Sequence, residues 1–181
     1  MLEKIIIAGS GGQGIMFMGK ILALAALKNN FKLTLLPAYG AEVRGGTSNC
    51  SIVISDEEIA SPFINQADTI IVLNEPSLNK FKNRIKNNGL LVINTSLIED
   101  KSKLNLNHAI CLSLSDIASS LGEIKVTNMV ALGAYIAAKK IISFKNAIEA
   151  LRENTTADKK ELFLLNERAI KEGMRLVKDN K

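Results

Sequence analysis

The sequence has little that could bind a metal cluster or stack a nucleic-acid base. Its 181 residues include two cysteines, Cys50 and Cys111, one histidine, His108, and no tryptophan. Iron–sulfur clusters require four thiolates and structural zinc a four-ligand set, so neither fits within this chain. Aromatic residues make up 4%, too few for a stacking platform. Both cysteines fall in apolar strand-like runs, which predicts buried, inert thiols. A catalytic triad would need His108, which is better explained as a surface or strand-start residue.

The sequence also lacks an uncharged run long enough to cross a membrane. Met129–Ala138 is shorter than the ~20 residues required and is followed by Lys139 and Lys140. Glu3 and the glycine cluster that begins at Gly9 interrupt the first apolar run, unlike a signal peptide. The sequence therefore predicts a cytoplasmic protein that binds neither membrane nor nucleic acid. Its net charge of +5 suits an anionic ligand or an acidic partner.

The order of strand-like and helix-like segments predicts an α/β fold. A β-branched run, Lys4–Ala8, leads through a glycine-rich turn into an apolar helix, Ile15–Lys28. A second strand, Phe31–Leu36, is expected to end at Pro37. This β–loop–α–β opening is typical of a doubly wound sheet. Asn49–Ile54 follows at a distance that is marginal for a helical crossover, which predicts either an antiparallel strand or an excursion and makes the sheet mixed.

The remaining segments complete this architecture. Further strands are expected at Thr69–Leu73, Leu90–Asn94 and Ala109–Leu114. A helix over Pro76–Asn88 should stop at Gly89. Later helices are expected at Asp116–Leu121, Asn128–Lys140, Phe144–Asn154 and Ala157–Lys178. We therefore predict one domain over residues 1–181, a three-layer Rossmann-like open sheet, mostly parallel or mixed, with a helical C-terminal part.

The first loop has the pattern of a phosphate-binding turn. Gly9, Gly11 and Gly14 satisfy G-x-G-x-x-G between a strand and a helix, where backbone N–H groups can approach a phosphate. A dinucleotide site also needs an acidic residue at the end of the second strand, and Leu36–Ala38 contains no carboxylate. This argues against ordinary NAD binding. A loop that only packs the helix against the strand fits the pattern equally well.

A second loop, Tyr39–Thr47, is expected beside the first, because both follow the carboxyl ends of strands. Arg44, next to Gly45 and Gly46, could present a guanidinium and backbone donors to an anion. Alternatively, Arg44 pairs with Glu42 and the glycines only shape the turn. The candidate binding residues of the two loops are Gly9, Ser10, Gly11, Gly12, Gln13, Gly14, Tyr39, Glu42, Arg44, Gly45 and Gly46.

The residues alone favour a binding or assembly module. The first helix is apolar around most of its circumference, with Lys20 and Lys28 its only charges. Such a helix must be covered on more than one side, by C-terminal helices or by a partner subunit. Late lysines such as Lys159 and Lys160 fit solvated helix faces. No nucleophile, base and orienting group combine convincingly, so we predict no catalytic residue and no metal site in this chain.

Together, the two loops resemble those of a known family. The segments GSGGQG at 9–14 and YGAEVRGG at 39–46 are similar to the gamma subunit of 2-oxoacid:ferredoxin oxidoreductases, and the match continues at Asn128–Gly133 and Gly173. The resemblance covers nearly the whole chain. It implies a subunit concerned mainly with structure and assembly, near the coenzyme A path. In that case the backbone of residues 11–14 and the side chain of Arg44 would face a phosphate or a neighbouring subunit.

The same resemblance implies a multi-subunit enzyme. Such complexes use thiamine diphosphate and Mg²⁺ to decarboxylate a 2-oxoacid oxidatively, reduce ferredoxin through iron–sulfur clusters, and pass the acyl group to coenzyme A. Alpha and beta subunits hold thiamine diphosphate, and beta or delta holds the clusters, so this chain alone is expected to bind no cofactor. 2-Oxoglutarate is the favoured substrate and pyruvate the next. The alternatives are a stand-alone Rossmann-type nucleotide-binding protein or dehydrogenase, and a scaffold with an empty glycine loop.

Overall fold

A six-stranded sheet organises the chain. The computed structural model describes residues 1–39, 47–100, 104 and 108–179, except the side chains of Tyr39 and Ala157. In spatial order the strands of the described sheet run β2-β3-β1-β4-β5-β6. In chain order they are β1 (Leu2–Ser10), β2 (Lys32–Tyr39), β3 (Thr47–Ser55), β4 (Ala67–Val72), β5 (Ile85–Asn94) and β6 (Ala109–Leu112).

The helices follow the order expected from the sequence. They are α1 (Ile15–Lys28), α2 (Glu75–Phe81), α3 (Leu114–Ser120), α4 (Thr127–Lys139), α5 (Phe144–Glu153) and α6 (Lys160–Asp179). Short 3₁₀ turns precede α4 and α6, at Ile124–Val126 and Ala157–Lys159. Within the described ranges no helix combines the length and apolar character needed to span a bilayer.

The sheet is mixed, as the short connection before β3 predicts. β3 runs antiparallel to both β1 and β2, whereas β1, β4, β5 and β6 pair in parallel. Because β3 lies between β2 and β1 and opposes both, β2 points in the same direction as β1. The carboxyl ends of five strands therefore lie at one edge of the sheet, which is where α/β proteins place their ligands.

The apolar residues of the central strands divide between two cores. On β1, Ile5 and Ile7 belong to one core, and Ile6 and Ala8 belong to the other. This alternation follows from the period of two along a strand and accounts for the nearly continuous apolar run. The first core also includes α1 and α3–α6, whereas α2 is the main helix on the second. The two outer layers are thus unequal.

α4 is a core helix, and the C-terminal helix α6 covers it. Every residue from Thr127 to Ala137 is buried, so this helix must be enclosed on all sides. α6 packs along it so closely that a Cβ on Gly133 would overlap the carbonyl oxygen of Ile170, and one on Gly173 would overlap that of Val130. The two glycines therefore set the distance between the helices.

The apolar first helix is covered mainly from within the chain. α1 packs on β2 and β3 on one side and contacts α4 and α5 on another. Met16, Phe17 and Leu24 are partly buried against the first core, whereas Leu27 is half exposed. The C-terminal helices thus bury much of the apolar surface of α1.

Three local expectations were wrong. β2 continues through Pro37 to Tyr39, because β2 is an edge strand, a position where strands tolerate proline. The helix predicted to stop at Gly89 ends at Phe81, and Gly89 lies inside β5. Cys50 is buried as expected, but Cys111 is exposed on the edge strand β6.

A buried charged cluster connects the sheet to α4. Glu3 on β1 is 5% exposed; its Oε1 accepts hydrogen bonds from the Thr69 hydroxyl at 2.6 Å and from Lys139 Nζ at 3.0 Å. Burial raises the pKa of Glu3 above its ordinary value of 4.5, despite these two favourable contacts. The hydroxyl of Tyr135 is fully buried and has no hydrogen-bond partner among the described residues.

This cluster predicts a pH-dependent difference between the wild type and Glu3→Gln. The protonated carboxyl is the favoured buried form, so its contribution to stability is fully present below pH 4.5 and is lost as the pH rises through the raised pKa. The unfolding free energy of the wild type minus that of the variant should therefore fall as the pH rises from 4.5 through the raised pKa. Urea titrations between pH 4.5 and 8 measure it, and parallel pH profiles would contradict the raised pKa.

Candidate functional site

Two loops are attached side by side at the carboxyl edge of the sheet. Ser10, at the end of β1, pairs with Thr47 at the start of β3, and Tyr39, at the end of β2, pairs with Ser48. The second attachment point of the second loop, Thr47, therefore lies next to the glycine loop, residues 10–14, and the first, Tyr39, lies one strand further away at the same edge. The candidate groups outside the described residues are the Tyr39 side chain, Glu42, Arg44, Gly45 and Gly46. The binding roles assigned to them stay predictions.

The glycine loop is a closed turn that delivers the chain into α1. Gln13 N–H donates to the carbonyl of Ser10 at 3.2 Å, and Ser10 N–H donates to Gln13 Oε1 at 2.7 Å. Gly12 and Gly14 have φ of 88° and 72°, a conformation that side-chain-bearing residues rarely adopt. Gly14 then caps α1, and its carbonyl accepts from Met18 N–H at 2.9 Å. Backbone geometry thus requires glycine at 12 and 14.

Polar side chains fasten the loop to the end of β4. Asn74 Nδ2 donates to Ser10 Oγ at 2.5 Å, while Asn74 Oδ1 accepts from Ser77 N–H at the start of α2. Gln13 Nε2 donates to the carbonyl of Leu73 at 3.4 Å. The side chains of Ser10 and Gln13 are therefore used within the fold. These hydrogen bonds position the turn, and the binding roles predicted for Ser10 and Gln13 stay predictions.

The glycines of this loop have different reasons to be glycine. A Cβ on Gly9 would lie 2.6 Å from Gln13 Oε1, and one on Gly14 would overlap the side-chain amide of Asn128. A Cβ on Gly11 would meet no atom within 4 Å among the described residues, and its φ is not positive. Neither packing nor backbone conformation explains glycine at 11. That open, exposed backbone is available to a ligand or a neighbouring subunit.

A cleft of about 360 Å³ opens beside this loop. It lies between the glycine loop, the start of α4 and the segment that leads into α6. Two lysines line it, and none of its described lining residues is acidic. Its volume falls at the lower end of the range for small-molecule sites. The lining residues are Gly12, Gly14, Phe17, Lys125, Val126, Asn128, Asn154, Thr155, Thr156, Lys159, Leu162 and Asn166.

The lining of the cleft is mostly apolar, and its charged groups are two lysines. Lys125 and Lys159 are both exposed, on the 3₁₀ turns that precede α4 and α6. Thr155 and Thr156 add hydroxyl groups to the same lining, although Thr155 donates its own proton to the carbonyl of Leu151 at 2.8 Å. Ammonium groups and hydroxyls are common phosphate partners in proteins. The arrangement can therefore bind an anionic group beside the glycine loop.

The sequence did not indicate this cleft. Lys159 fitted a solvated helix face, and Lys125 carried no interpretation. Asn128 entered as the first residue of a predicted helix and through the family resemblance, not as a site residue. The lining comes from three segments, 12–17, 125–128 and 154–166. More than a hundred residues separate the first segment from the second, so no local spacing could reveal the cleft. A packed fold was needed to bring these groups together.

The described residues do not form a metal centre, and Cys50 is unsuited to nucleophilic chemistry. No group of three or more His, Cys, Asp or Glu side chains converges in the part of the chain that the structure describes. Burial raises the pKa of the Cys50 thiol to about 11, which keeps it protonated and unreactive at neutral pH. Cys50 on β3 and Cys111 on β6 are separated by three intervening strands.

Relatives of known name match most of this chain. The ketoisovalerate oxidoreductase subunit VorA of Methanothermobacter thermautotrophicus is 32% identical over 181 residues, covering 98% of this chain and 37% of VorA. The chain thus spans about a third of that longer relative. The 2-oxoglutarate synthase subunit KorC of Methanocaldococcus jannaschii is 32% identical over 170 residues, covering 91% of this chain and 90% of KorC.

Solved structures share the fold. The gamma subunit of a keto/oxoacid ferredoxin oxidoreductase from Geobacter sulfurreducens superimposes with a TM-score of 0.82 at 27% identity, covering 98% of this chain and 99% of that one. The second structure is a 2-oxoglutarate:ferredoxin oxidoreductase from Magnetococcus marinus, solved with 2-oxoglutarate, coenzyme A and succinyl-CoA bound. It superimposes with a TM-score of 0.86 at 23% identity, covering 98% of this chain and 31% of that one. The second likeness concerns the fold alone.

The family model for pyruvate ferredoxin/flavodoxin oxidoreductase matches residues 4–176. This range includes the glycine loop, the carboxyl edge of the sheet and all six described helices up to the last turn of α6. The match, the KorC relative and the gamma-subunit structure agree with one another and with the resemblance seen in the two loops. The chain belongs to the pyruvate ferredoxin/flavodoxin oxidoreductase family and has the fold of its gamma subunits.

Proposed function

We propose that this chain is the gamma component of a 2-oxoacid:ferredoxin oxidoreductase. The complex would oxidatively decarboxylate a 2-oxoacid to the acyl-CoA and reduce ferredoxin, with the chain assembled on alpha, beta and delta subunits in the cytoplasm. One observation carries this proposal: a gamma subunit of known structure matches the chain from end to end at 27% identity. Thiamine diphosphate and the iron–sulfur clusters would reside on the partner subunits.

The chain's own role in this proposal is assembly and the binding of coenzyme A phosphates. The cleft beside residues 10–14 supports it, because Lys125 and Lys159 line it together with two threonines and no described acidic residue. The open backbone of Gly11 lies on the same loop. A phosphate there would gain charge-assisted hydrogen bonds from the lysines. No residue of this chain is assigned a bond-making step.

The carboxyl end of β2 counts against a stand-alone dehydrogenase. In such enzymes a carboxylate at this place holds the ribose hydroxyls. β2 ends instead with Leu36, Pro37 and Ala38 before Tyr39, so none of the described residues at that end of the strand is acidic. The gamma assignment therefore explains the glycine loop better than ordinary dinucleotide binding does.

Purification of the tagged chain from its host under anaerobic conditions tests the assignment. We expect three partner polypeptides, stoichiometric iron, and 2-oxoacid-dependent reduction of ferredoxin or a dye that requires coenzyme A. A panel of 2-oxoglutarate, pyruvate, ketoisovalerate and indolepyruvate then identifies the substrate, with 2-oxoglutarate expected to be fastest and pyruvate next. A chain that elutes alone and free of iron would refute the assignment.

A charge-reversal pair tests the cleft within the assembled complex. Lys125→Glu together with Lys159→Glu should raise the KM for coenzyme A at least tenfold and leave the KM for the 2-oxoacid unchanged, because in this proposal only the coenzyme A phosphates meet the cleft. Lys178→Glu is the matched control. It lies near the far end of α6, roughly 28 Å from Lys159 along the helix, and should leave both values unchanged. An unaltered KM for coenzyme A in the double variant would refute this role.

A further inference from the structure

A groove runs between the last two helices of the chain, α5 and α6. It contains two cavities, of about 320 and 290 Å³. Arg152 and Phe163 line the first cavity, and Phe144, Lys171 and Met174 line the second. These five residues define what we call the α5–α6 groove.

The spacing of these residues joins the two cavities into one surface. Phe163, Lys171 and Met174 stand at i, i+8 and i+11 of α6 and so share one helix face, as Phe144 and Arg152 do on α5. Arg152 Cζ lies 5.5 Å from the ring centroid of Phe163, and Lys171 Nζ lies 5.6 Å from that of Phe144. The two helices therefore run antiparallel, and about 16 Å of α6 separates Phe163 from Met174.

The charges around the groove are segregated by sign. Residues 144–179 include seven acidic residues, yet every charged residue described in the lining of either cavity is basic. Lys171 is paired with Glu167 at 2.7 Å. Arg152 and Lys160, which line the first cavity, have no ion pair with any described residue. At this end the groove therefore carries positive charge that no described carboxylate neutralises.

Beneath the cations the groove is apolar. Phe144, Phe163 and Met174 pack against the first core but remain partly exposed. A helix that lies in a groove of this kind buries such side chains with an apolar face of its own. Eleven residues of helix, about three turns, span the same 16 Å. Carboxylates beside that apolar face would pair with the cations of the groove.

We propose that the α5–α6 groove binds an acidic amphipathic helix of a partner subunit. Its apolar side chains contact the two phenylalanine rings, and its carboxylates pair with Arg152, Lys160 and Lys171. The inference rests on the proposed function, in which the chain is assembled with other subunits, and it adds the surface and the chemistry of one contact. Coenzyme A takes no part in it.

Carbodiimide cross-linking of the wild-type complex tests this contact directly, because the reagent joins an amine to a carboxylate that already touches it. Lys160 and Lys171 should be joined to carboxylates of one partner subunit, all within a single short segment. Lys32 on β2 is the control. Its side chain is 54% exposed, against 58% for Lys171, and each of the two lysines pairs with a glutamate of this chain. Lys32 should form no link to that segment.

Charge reversal tests the same contact by affinity. Arg152→Glu together with Lys171→Glu should raise the Kd of the tagged chain for the rest of the complex at least tenfold, because like charges then face each other. Arg152→Lys together with Lys171→Arg is the matched control, since it changes both side chains and keeps both charges. Its Kd should stay within threefold of the wild type. Native mass spectrometry of a dilution series measures these values.

An intact complex without cross-links from Lys160 and Lys171 to a partner subunit would overturn the inference and leave the proposed function standing, whether or not the charge-reversal variant folds. Links between two copies of this chain, seen as a covalent dimer, would also overturn it. So would a DNA oligonucleotide that the wild type binds and the charge-reversal variant does not, with assembly unchanged. If the tagged wild-type chain has no partner subunit, the proposed function fails and the inference fails with it.

Discussion

Gly133→Ala is expected to lower the free energy of unfolding by about 3 kcal/mol or more. The added Cβ would overlap the carbonyl oxygen of Ile170 on α6, and this backbone atom cannot move aside as a flexible side chain could. Helix propensity alone favours alanine over glycine by about 1 kcal/mol. The expected loss of stability is therefore opposite to the change that propensity alone would produce. A fall in Tm of roughly 6–12 °C should result for a domain of this size. Gly173→Ala should behave alike, through the carbonyl of Val130.

Gly11→Ala is the matched control for these variants. It adds the same methyl group where no described atom lies within 4 Å and where φ is not positive. Its thermal and urea unfolding should match the wild type within about 0.5 kcal/mol. If Gly133→Ala is as stable as Gly11→Ala, α4 and α6 do not approach as closely as described.

Asn94→Asp is expected to destabilise the chain by about 3 kcal/mol at pH 7. Asn94 is fully buried, and its Nδ2 donates to the Leu73 carbonyl at 3.0 Å and to Ser115 Oγ at 2.8 Å. Its Oδ1 accepts from Ser115 N–H at 3.2 Å. Aspartate keeps the shape, loses the donor and sets a buried carboxylate against a carbonyl oxygen.

The pH dependence gives this prediction a second signature. Burial raises the pKa of the introduced carboxyl in the folded state, so the destabilisation should shrink as the pH falls through that pKa toward the ordinary value of about 3.9. Asn74→Asp is the control, because Asn74 caps α2 and its Nδ2 donates to the Ser10 hydroxyl, which can donate instead. Asn74→Asp should lower the free energy of unfolding by less than about 1 kcal/mol. Equal losses in both variants would contradict the role of Asn94.

The alternation of strands and helices was predictable because it depends on local periodicity. The β-branched run at Lys4–Ala8 predicts a buried central strand, and the short connection before Asn49 is marginal for a helical crossover, so a mixed sheet could be expected from the sequence. The predictions from Pro37 and Gly89 were wrong because neither residue ends a strand or a helix in every structural context. An edge strand tolerates the proline, and the tight packing of Gly89 against the Ile85 side chain occurs within a strand.

The site was only partly predictable for a different reason. The glycine loop is one contiguous segment, so its pattern and its position before α1 could be read directly. The functions of its members could not, because Ser10 and Gln13 are occupied by Asn74 and Leu73, which the chain reaches some sixty residues later. The cleft beside this loop likewise arises only from three-dimensional packing.

The enclosure of α4 by α6 has a consequence during protein synthesis. α4 ends at Lys139, whereas α6 ends at Asp179, so about 40 further residues must be translated before the covering helix is complete. At roughly 5–20 residues per second, the apolar surface of α4 stays uncovered on the ribosome for about 2–8 s. The nascent chain therefore passes through a state with uncovered apolar surface, and stop codons before Gly173 should yield insoluble fragments rather than smaller folded ones.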